Sequence, residues 1–487
     1  MKYHLVTLGC QMNKSDSERV ATVIERMGYR WTDAEEEANL LGVLACSVRQ
    51  KSIDKVYAKI HKWNKWKNKR NLLTFVSGCV LPSDKEKFLL LFDLIFQMSE
   101  LPQLPDMISQ YGVVTPVKHL TKEEREHIET EAKTQTKKDN PGFSALQFNA
   151  GTAKIDNLKV ARPEEKIKDF WQLKPHYQSV YEAFIPIQNG CDKFCTFCAV
   201  PYTRGREISR SSEEILEEMK SLVEQDYKSI TLLGQNVNSY GLDKKGNEIT
   251  FPELLRRIGE YGNSVKKEFW VYFTSPHPRD MTEEVLEVIA SYKCLAKQIH
   301  LPLQSGDDKV LIRMNRKHSL AEYRRIMEAI RRILPQATVF TDIIVGFTGE
   351  TDDQFKNTRA AMEEFKYNMA YIAKYSPRPG AASSRWDDDI PNEVKTSRLH
   401  ILTDELTKHT LEYNKQYIGK TLKVLVIGNA RKKGYLSAMT EGRIVLHFPA
   451  EDNNLIGKFA LVKIHGATEF ALDAEQVKEK MPEVVES

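Results

Sequence analysis

The chain has 487 residues, of which 41% are hydrophobic and 28% charged, with a formal net charge of +4. That balance excludes a disordered or fibrous chain, and the length predicts about three folded domains with ordinary apolar cores. So slight a basic excess permits a nucleic-acid partner without demanding one, because only clustered charge counts.

The opening MKYHLVTLGC lacks the apolar core and cleavage site of a signal peptide. The most apolar run, Phe88 to Phe96, is too short to span a bilayer and contains Asp93. The expectation is a cytoplasmic protein without a membrane segment, whose seven cysteines serve metal binding or catalysis rather than a disulfide framework.

In chain order, Lys2–Leu8 reads as a strand, Ser15–Met27 as an amphipathic helix, Leu40–Ala45 as a strand, a helix begins near Val48, and Asn71–Ser77 is a third strand. Alternation of this kind predicts an α/β domain with a doubly wound parallel sheet over residues 1–112. Residues 113–179 are polar and charge-dense without a sustained period, and read as a linker or insertion.

The alternation then restarts. Strands are expected at Tyr181–Gln188, Ser229–Leu233, Phe269–Thr274, Gln298–Leu303, Thr338–Val345 and Met369–Tyr375. Helices fall between them at Ser212–Glu224, Thr282–Ala290, Ala321–Ile333 and Thr351–Phe365. Six such units over residues 180–415 predict a partial (β/α)6 barrel rather than the closed eight-unit form. Residues 416–478 change character: TLKVLVIG, YLSAMTEG, RIVLHF and KFALVKI are short strands punctuated by glycine, which predicts a small all-β barrel.

Cys191, Cys195 and Cys198 follow the first barrel strand as C-x3-C-x2-C. Iron–sulfur clusters are normally held by four thiolates, so three in one loop leave an iron open to a small molecule. Structural zinc fits less well, because the loop has neither a second two-cysteine knuckle nor a histidine. Cys10, Cys46 and Cys79 lie far apart in sequence, yet LVTLGC, LLGVLAC and LTFVSGC each carry the cysteine at the carboxyl end of an apolar strand. In an open parallel sheet those ends face one crevice, so the three thiolates are expected to meet at a second cluster. Cys294 follows no such rule and reads as a core or loop residue.

The Cys191 loop resembles the radical-SAM superfamily, with Phe197 in the aromatic slot before the last cysteine. The resemblance implies a 4Fe–4S cluster that binds S-adenosylmethionine and, on one-electron reduction, gives methionine and a 5′-deoxyadenosyl radical. Segments after the later strands resemble the superfamily's cofactor contacts: Gly234 and Gln235, Ser275 and His277, Gln304 and Ser305, and Gly346 and Glu350. Two three-cysteine sets with a terminal β-barrel together resemble the methylthiotransferase family, which implies an RNA-binding TRAM domain at the C-terminus. That family uses two 4Fe–4S clusters and two S-adenosylmethionine molecules per turnover, one to methylate a sulfur and one to supply the radical.

GCQMNKSDS, CSVRQK and TSPHP resemble the branch that modifies C2 of an isopentenylated adenosine at position 37, beside the tRNA anticodon. Departures are Ala45, Leu81–Pro82 and the long insertion. Implied partners are such a tRNA, a reducing donor such as flavodoxin or ferredoxin, and a sulfur donor, with the chain a monomer. Arg204, Arg206 and Arg210 near the cysteine loop, and Arg431, Lys432 and Lys433 on the terminal barrel, are the expected phosphate contacts. Trp63 within KIHKWNKWKNKR falls on an apolar helical stripe and is read as core, with its neighbouring lysines on a solvated face. The competing readings are a methylthiotransferase acting on another modified tRNA adenosine or a ribosomal-protein aspartate, and a non-catalytic iron–sulfur RNA-binding protein.

Overall fold

The computed structural model describes residues 1–47, 50–67, 69–110, 164–450 and 453–477. Most of the expected insertion and the helix start at Val48 lie outside the described residues. The chain forms two units: Met1–His176 with Ala199–Arg206, and Tyr177–Cys198 with Glu207–Ser487.

In the first unit, β1 (Lys2–Thr7), β2 (Arg30–Trp31), β3 (Leu40–Cys46), β4 (Leu73–Cys79) and β5 (Leu94–Ile95) form a parallel sheet of order β2-β1-β3-β4-β5. Every residue of β3 is buried, as befits a central parallel strand covered on both faces. Phe75 on β4 lies across Gly42 of β3, where an added Cβ would sit 2.1 Å from its ring. The helices α1 (Gln11–Arg26), α2 (Gln50–Lys67) and α3 (Pro82–Leu89) follow β1, β3 and β4, and α4 (Leu104–Ser109) and α5 (Glu164–Gln172) come later. A separate piece of chain, α6 (Val200–Arg204), packs on β4. Val43, Val56, Ile60, Trp63, Val76 and Phe88 belong to the core. Trp63 is fully buried and its indole donates to Glu35 Oε2 at 3.1 Å. Lys59 and Lys62 also pair with Glu35, so this lysine face is more tightly partnered than a plain solvated face.

In the second unit, β6 (Glu182–Pro186) leads to a short antiparallel ribbon, β7 (Gln188–Asn189) with β8 (Ile208–Ser209). Then follow α7 (Ser212–Glu224), β9 (Ser229–Leu233), α8 (Phe251–Ser264), β10 (Trp270–Phe273), α9 (Glu283–Ser291) and β11 (Gln298–His300). The series closes with α10 (Asp308–Arg313), α11 (Leu320–Ile333), β12 (Thr338–Val345), α12 (Asp352–Phe365), β13 (Met369–Lys374) and α13 (Asn392–Lys415). Parallel sheets β6-β9-β10 and β11-β12-β13 meet at a single bridge between Val271 and Leu295, giving the partial barrel. Cys294 is buried in its core, where Gly262 leaves space for the sulfur.

The strands β14 (Thr421–Asn429), β15 (Tyr435–Thr440), β16 (Val445–Pro449), β17 (Phe459–Ala467) and β18 (Ala471–Gln476) close a barrel of order β14-β15-β16-β18-β17. It rests on the base of the partial barrel through Leu425 against Trp270, Tyr272 and Ala296. Arg443 lies 4.1 Å from the centre of the Tyr272 ring and donates to Thr231 Oγ1 at 2.9 Å.

Candidate functional site: two cysteine centres

Cys46 and Cys79 are the last residues of β3 and β4 and stand opposite each other in register. Cys10 lies three residues beyond β1, at the N-cap of α1. The first set therefore gathers at the carboxyl edge of the parallel sheet, where ligands bind in such folds. Gly9 and Gly78, with φ of +120° and +94°, turn the chain into the Cys10 and Cys79 positions, and a Cβ on Gly9 would meet Cys46 Cβ at 2.6 Å. Asn13 fastens the edge: its Nδ2 donates to Leu8 O and Ala45 O, both at 2.7 Å. At the Ala45 departure the carbonyl takes the Asn13 bond and the methyl is buried in the core. Leu81 and Pro82 likewise keep a backbone role, capping and opening α3.

Burial pushes the Cys79 thiol up to about 12, with Cys10 and Cys46 adding to the rise and Arg204 opposing it. A thiol this reluctant to ionise calls for a cation before it becomes a good ligand or nucleophile.

The second set lies on the loop after β7. Cys191 is buried, Cys195 and Cys198 are half-buried, and Cys198 N donates to Cys195 O at 3.0 Å. The end of α10 and the stretch after it hold this loop: Asn315 Nδ2 donates to Phe194 O at 2.9 Å, and Thr196 Oγ1 to Arg313 O at 2.9 Å. Arg316 points Nη1 at Cys195 Sγ, 3.5 Å away. Phe197 meets Phe347 edge-on at 6.5 Å. Burial again dominates at Cys191, raising its thiol to about 12, with Cys198, Glu207 and Cys195 adding to the rise.

Around the loop, several buried polar atoms have no partner: Gln188 Oε1, Gln235 Oε1, Asn236 Oδ1, His277 Nε2 and Arg316 Nε. Leaving such an atom unpaired costs about 1–3 kcal/mol. A polar ligand of mixed donors and acceptors would satisfy them together. Burial, reinforced by Arg316, holds His277 neutral. Beside it, Asp192, Lys193, Glu207, Ser239, Asp243 and Arg279 line a cavity of about 200 Å³. Burial lifts Glu207 to about 7, so its carboxyl exchanges a proton near neutrality.

The other expected cofactor contacts divide. Gly234 lies under Gln188, whose Cγ would be 2.8 Å from an added Cβ. Ser275 and Gln304 hold left-handed backbone at φ 58° and 74°, which is costly for residues with side chains and is typical of binding loops. Ser305 instead bonds Thr358 inside the fold at 3.2 Å. Glu350 accepts from Gly346 N and from Arg398 Nη1, each at 2.7 Å, so both residues of that pair fix the loop.

The basic residues need correction. Arg204 and Arg210 are not surface cations: each side chain is 6% exposed, Arg204 against Asp16 and Arg210 against Glu214 and Glu218. Neither offers a free charge to a phosphate. Arg206 is half-buried, whereas Arg431, Lys432 and Lys433 are exposed. Arg431 and Lys432 line a cavity of about 730 Å³ with Tyr435, Ser437, His447 and His465. Sequence reasoning passed over Asn13, Glu207, Arg316 and this aromatic and histidine lining. Asn13, within the GCQMNKSDS segment, and Glu207, between the expected Arg206 and Arg210, had a signal.

Among the described residues, no three His, Cys, Asp or Glu side chains converge on a point that would grip a single metal ion. A 4Fe–4S cluster would instead take each thiolate on a separate iron, so its ligands would not need to meet at one point.

The radical SAM superfamily model matches residues 185–362, the TRAM domain residues 415–477, and uncharacterized protein family UPF0004 residues 2–96. A tRNA-2-methylthio-N(6)-dimethylallyladenosine synthase of Parabacteroides distasonis is 36% identical over 483 residues, spanning 98% of this chain and 96% of its own. That of Dictyoglomus thermophilum is 36% identical over 480 residues, spanning 98% and 99%. The chain belongs to this synthase family. A further member, from Yersinia enterocolitica, is 34% identical over 471 residues, spanning 95% of this chain and 90% of its own. Family membership accounts for the pairing of sheet, partial barrel and terminal β-barrel in one chain, and the radical SAM match implies S-adenosylmethionine and a 4Fe–4S cluster. Three thiols beside orphaned polar atoms are a donor set that fits both groups.

Proposed function

We propose that this protein is a radical-SAM methylthiotransferase that adds a methylthio group to C2 of N6-isopentenyladenosine beside the tRNA anticodon. The observation that carries the reading is the presence of two separate three-cysteine centres, each at strand ends of its own unit, in a chain 36% identical to synthases of that name over 98% of its length. When bound, the cluster of Cys191, Cys195 and Cys198 with S-adenosylmethionine supplies a carbon radical able to open an inert C–H bond.

The remaining work falls to the chain. Gln235, His277 and Gln304 orient the cofactor's polar groups, and neutral His277, whose Nδ1 accepts from Arg279 N, offers its Nε2–H as a donor without adding charge. Phe197 and Phe347 shield the loop from water. Glu207 holds or releases a proton beside the loop near neutral pH. The first set, Cys10, Cys46 and Cys79, binds a second cluster that handles the sulfur, so that two S-adenosylmethionine molecules are used per product. Arg431 and Lys432, which line a cavity with Tyr435, and the exposed Lys433 supply cations for RNA phosphates. Among the described residues no helix is long and apolar enough to cross a membrane. We place the protein in the cytoplasm as a monomer, drawing electrons from a flavodoxin or ferredoxin and sulfur from a separate donor.

The test is anaerobic incubation of reconstituted protein with isopentenylated tRNA, unmodified tRNA and ribosomal protein, followed by nucleoside and peptide mass analysis. A methylthio group on the isopentenylated nucleoside alone is expected. Its appearance only on the ribosomal protein would move the enzyme to another branch, and failure to form 5′-deoxyadenosine at all would remove it from this chemistry.

A further inference from the structure

Arg204 follows Cys198 by six residues in the chain, yet its helix α6 belongs by packing to the first unit. Its Nε points at Cys79 Sγ, 2.9 Å away. Its Nη2 donates to Asp16 Oδ2 at 2.6 Å and to Asn13 Oδ1 at 3.0 Å. Asn13 in turn holds the carbonyls of Leu8 and Ala45, two residues before Cys10 and one before Cys46. One guanidinium therefore reaches all three cysteine segments, Cys79 directly and the other two through a single side chain. The ion pair itself is buried, with the Arg204 and Asp16 side chains 6% and 1% exposed.

The orientation within this pair matters. Asp16 occupies the Nη2 side of the fork, so the sulfur meets the Nε–H and the positive end of the pair. An N–H donated to a cluster sulfur stabilises its more electron-rich state and raises the reduction potential. Lysine could supply charge but not a planar fork with separate donors for sulfur, amide and carboxylate.

We propose that Arg204 is a positioning residue for the iron–sulfur group of Cys10, Cys46 and Cys79. It fixes the three ligand segments and sets that group's reduction potential above the value the thiolates alone would give. The inference rests on reading the first cysteine set as a cluster site, so the test separates the two.

The full chain carrying Cys191→Ala, Cys195→Ala and Cys198→Ala retains only the first set. Its iron and sulfide are counted, and its midpoint potential is followed by electron paramagnetic resonance with and without Arg204→Gln. A second version, Arg204→Gln with Asp16→Asn, removes both buried charges and keeps the measurement interpretable if the single variant folds poorly. A more negative potential in both is expected, with partial recovery in Arg204→Lys. In the enzyme with all six cysteines, 5′-deoxyadenosine formed per methylthio group inserted is expected to rise about 10- to 100-fold. An unchanged potential together with an unchanged ratio would overturn the role of Arg204 while leaving the cluster. Absence of any reducible cluster in the cysteine-triple variant with Arg204 intact would overturn both.

Discussion

Single residues around the cysteine loop are held in charge states that their neighbours impose. His318 illustrates the consequence for stability. Burial, reinforced by Arg316, lowers its imidazole from 6.5 to about 4. Because the folded value lies below the unfolded one, the neutral ring contributes stability that is present above pH 6.5 and lost as the pH falls toward 4. In the apo-protein, urea unfolding at pH 7 and pH 5 should therefore differ by about 2 kcal/mol more in the native sequence than in His318→Gln. Equal losses in the two would show that the ring titrates freely. Asn13 offers a test of a different kind: Asn13→Ala leaves the Ala45 carbonyl without its side-chain donor and should cost about 1–3 kcal/mol. Iron bound by the first set should fall with it, measured on protein lacking the second. The six cysteines were legible in the sequence because strand ends and loop spacing are local properties. The partners of Arg204 and Arg210 were not, since Asp16 lies 188 positions from Arg204 in the chain. A cluster of arginines reads as a surface patch until the carboxylates that bury it are placed.

Elements were legible where hydrophobic period and function agreed. Ile215, Met219, Leu222 and Val223 mark the buried face of α7, and the expected and observed bounds coincide. The 24-residue helix α13 gave no such signal, because its buried face carries Lys395, Arg398, Glu405, Thr410 and Asn414 as well as Leu402 and Leu406. One of those polar groups fastens the loop after β12: Arg398 bonds Glu350, whose carboxylate also holds Gly346 N. The pair is buried, with side chains 5% and 0% exposed. Removing one partner from a buried pair costs about 3–5 kcal/mol, whereas removing both recovers much of it. Arg398→Met should thus destabilise by that amount in urea, and Glu350→Gln with Arg398→Met should be less severe. Weaker S-adenosylmethionine binding should persist in the double variant, because the loop has lost its fastening either way. If binding is unaffected, α13 is only a connector between the two barrels. The fifth strand of the terminal barrel was missed for a related reason: ALDAEQ buries only Leu472 and Ala474, too short an alternation to stand out beside charged neighbours.

At the scale of the whole molecule, the two cysteine sets are placed by different elements. Cys46 and Cys79 belong to the five-stranded sheet of the first unit, and Cys191, Cys195 and Cys198 to a loop pinned by Arg313, Asn315 and Arg316 in the second. Each loop keeps its own backbone fastenings when the other's cysteines are removed, so damage to one should leave the other able to assemble. Cys191→Ala should therefore abolish 5′-deoxyadenosine formation while iron and sulfide fall to the share held by the first set. Cys46→Ala should still cleave S-adenosylmethionine but insert no methylthio group, with iron and sulfide falling to the share held by the second. Chromatography of the nucleosides and of 5′-deoxyadenosine from the same reaction reads both outcomes at once. If the two variants lose cleavage equally, the centres are a single functional unit, and the division between opening a C–H bond and supplying the group that replaces its hydrogen is wrong.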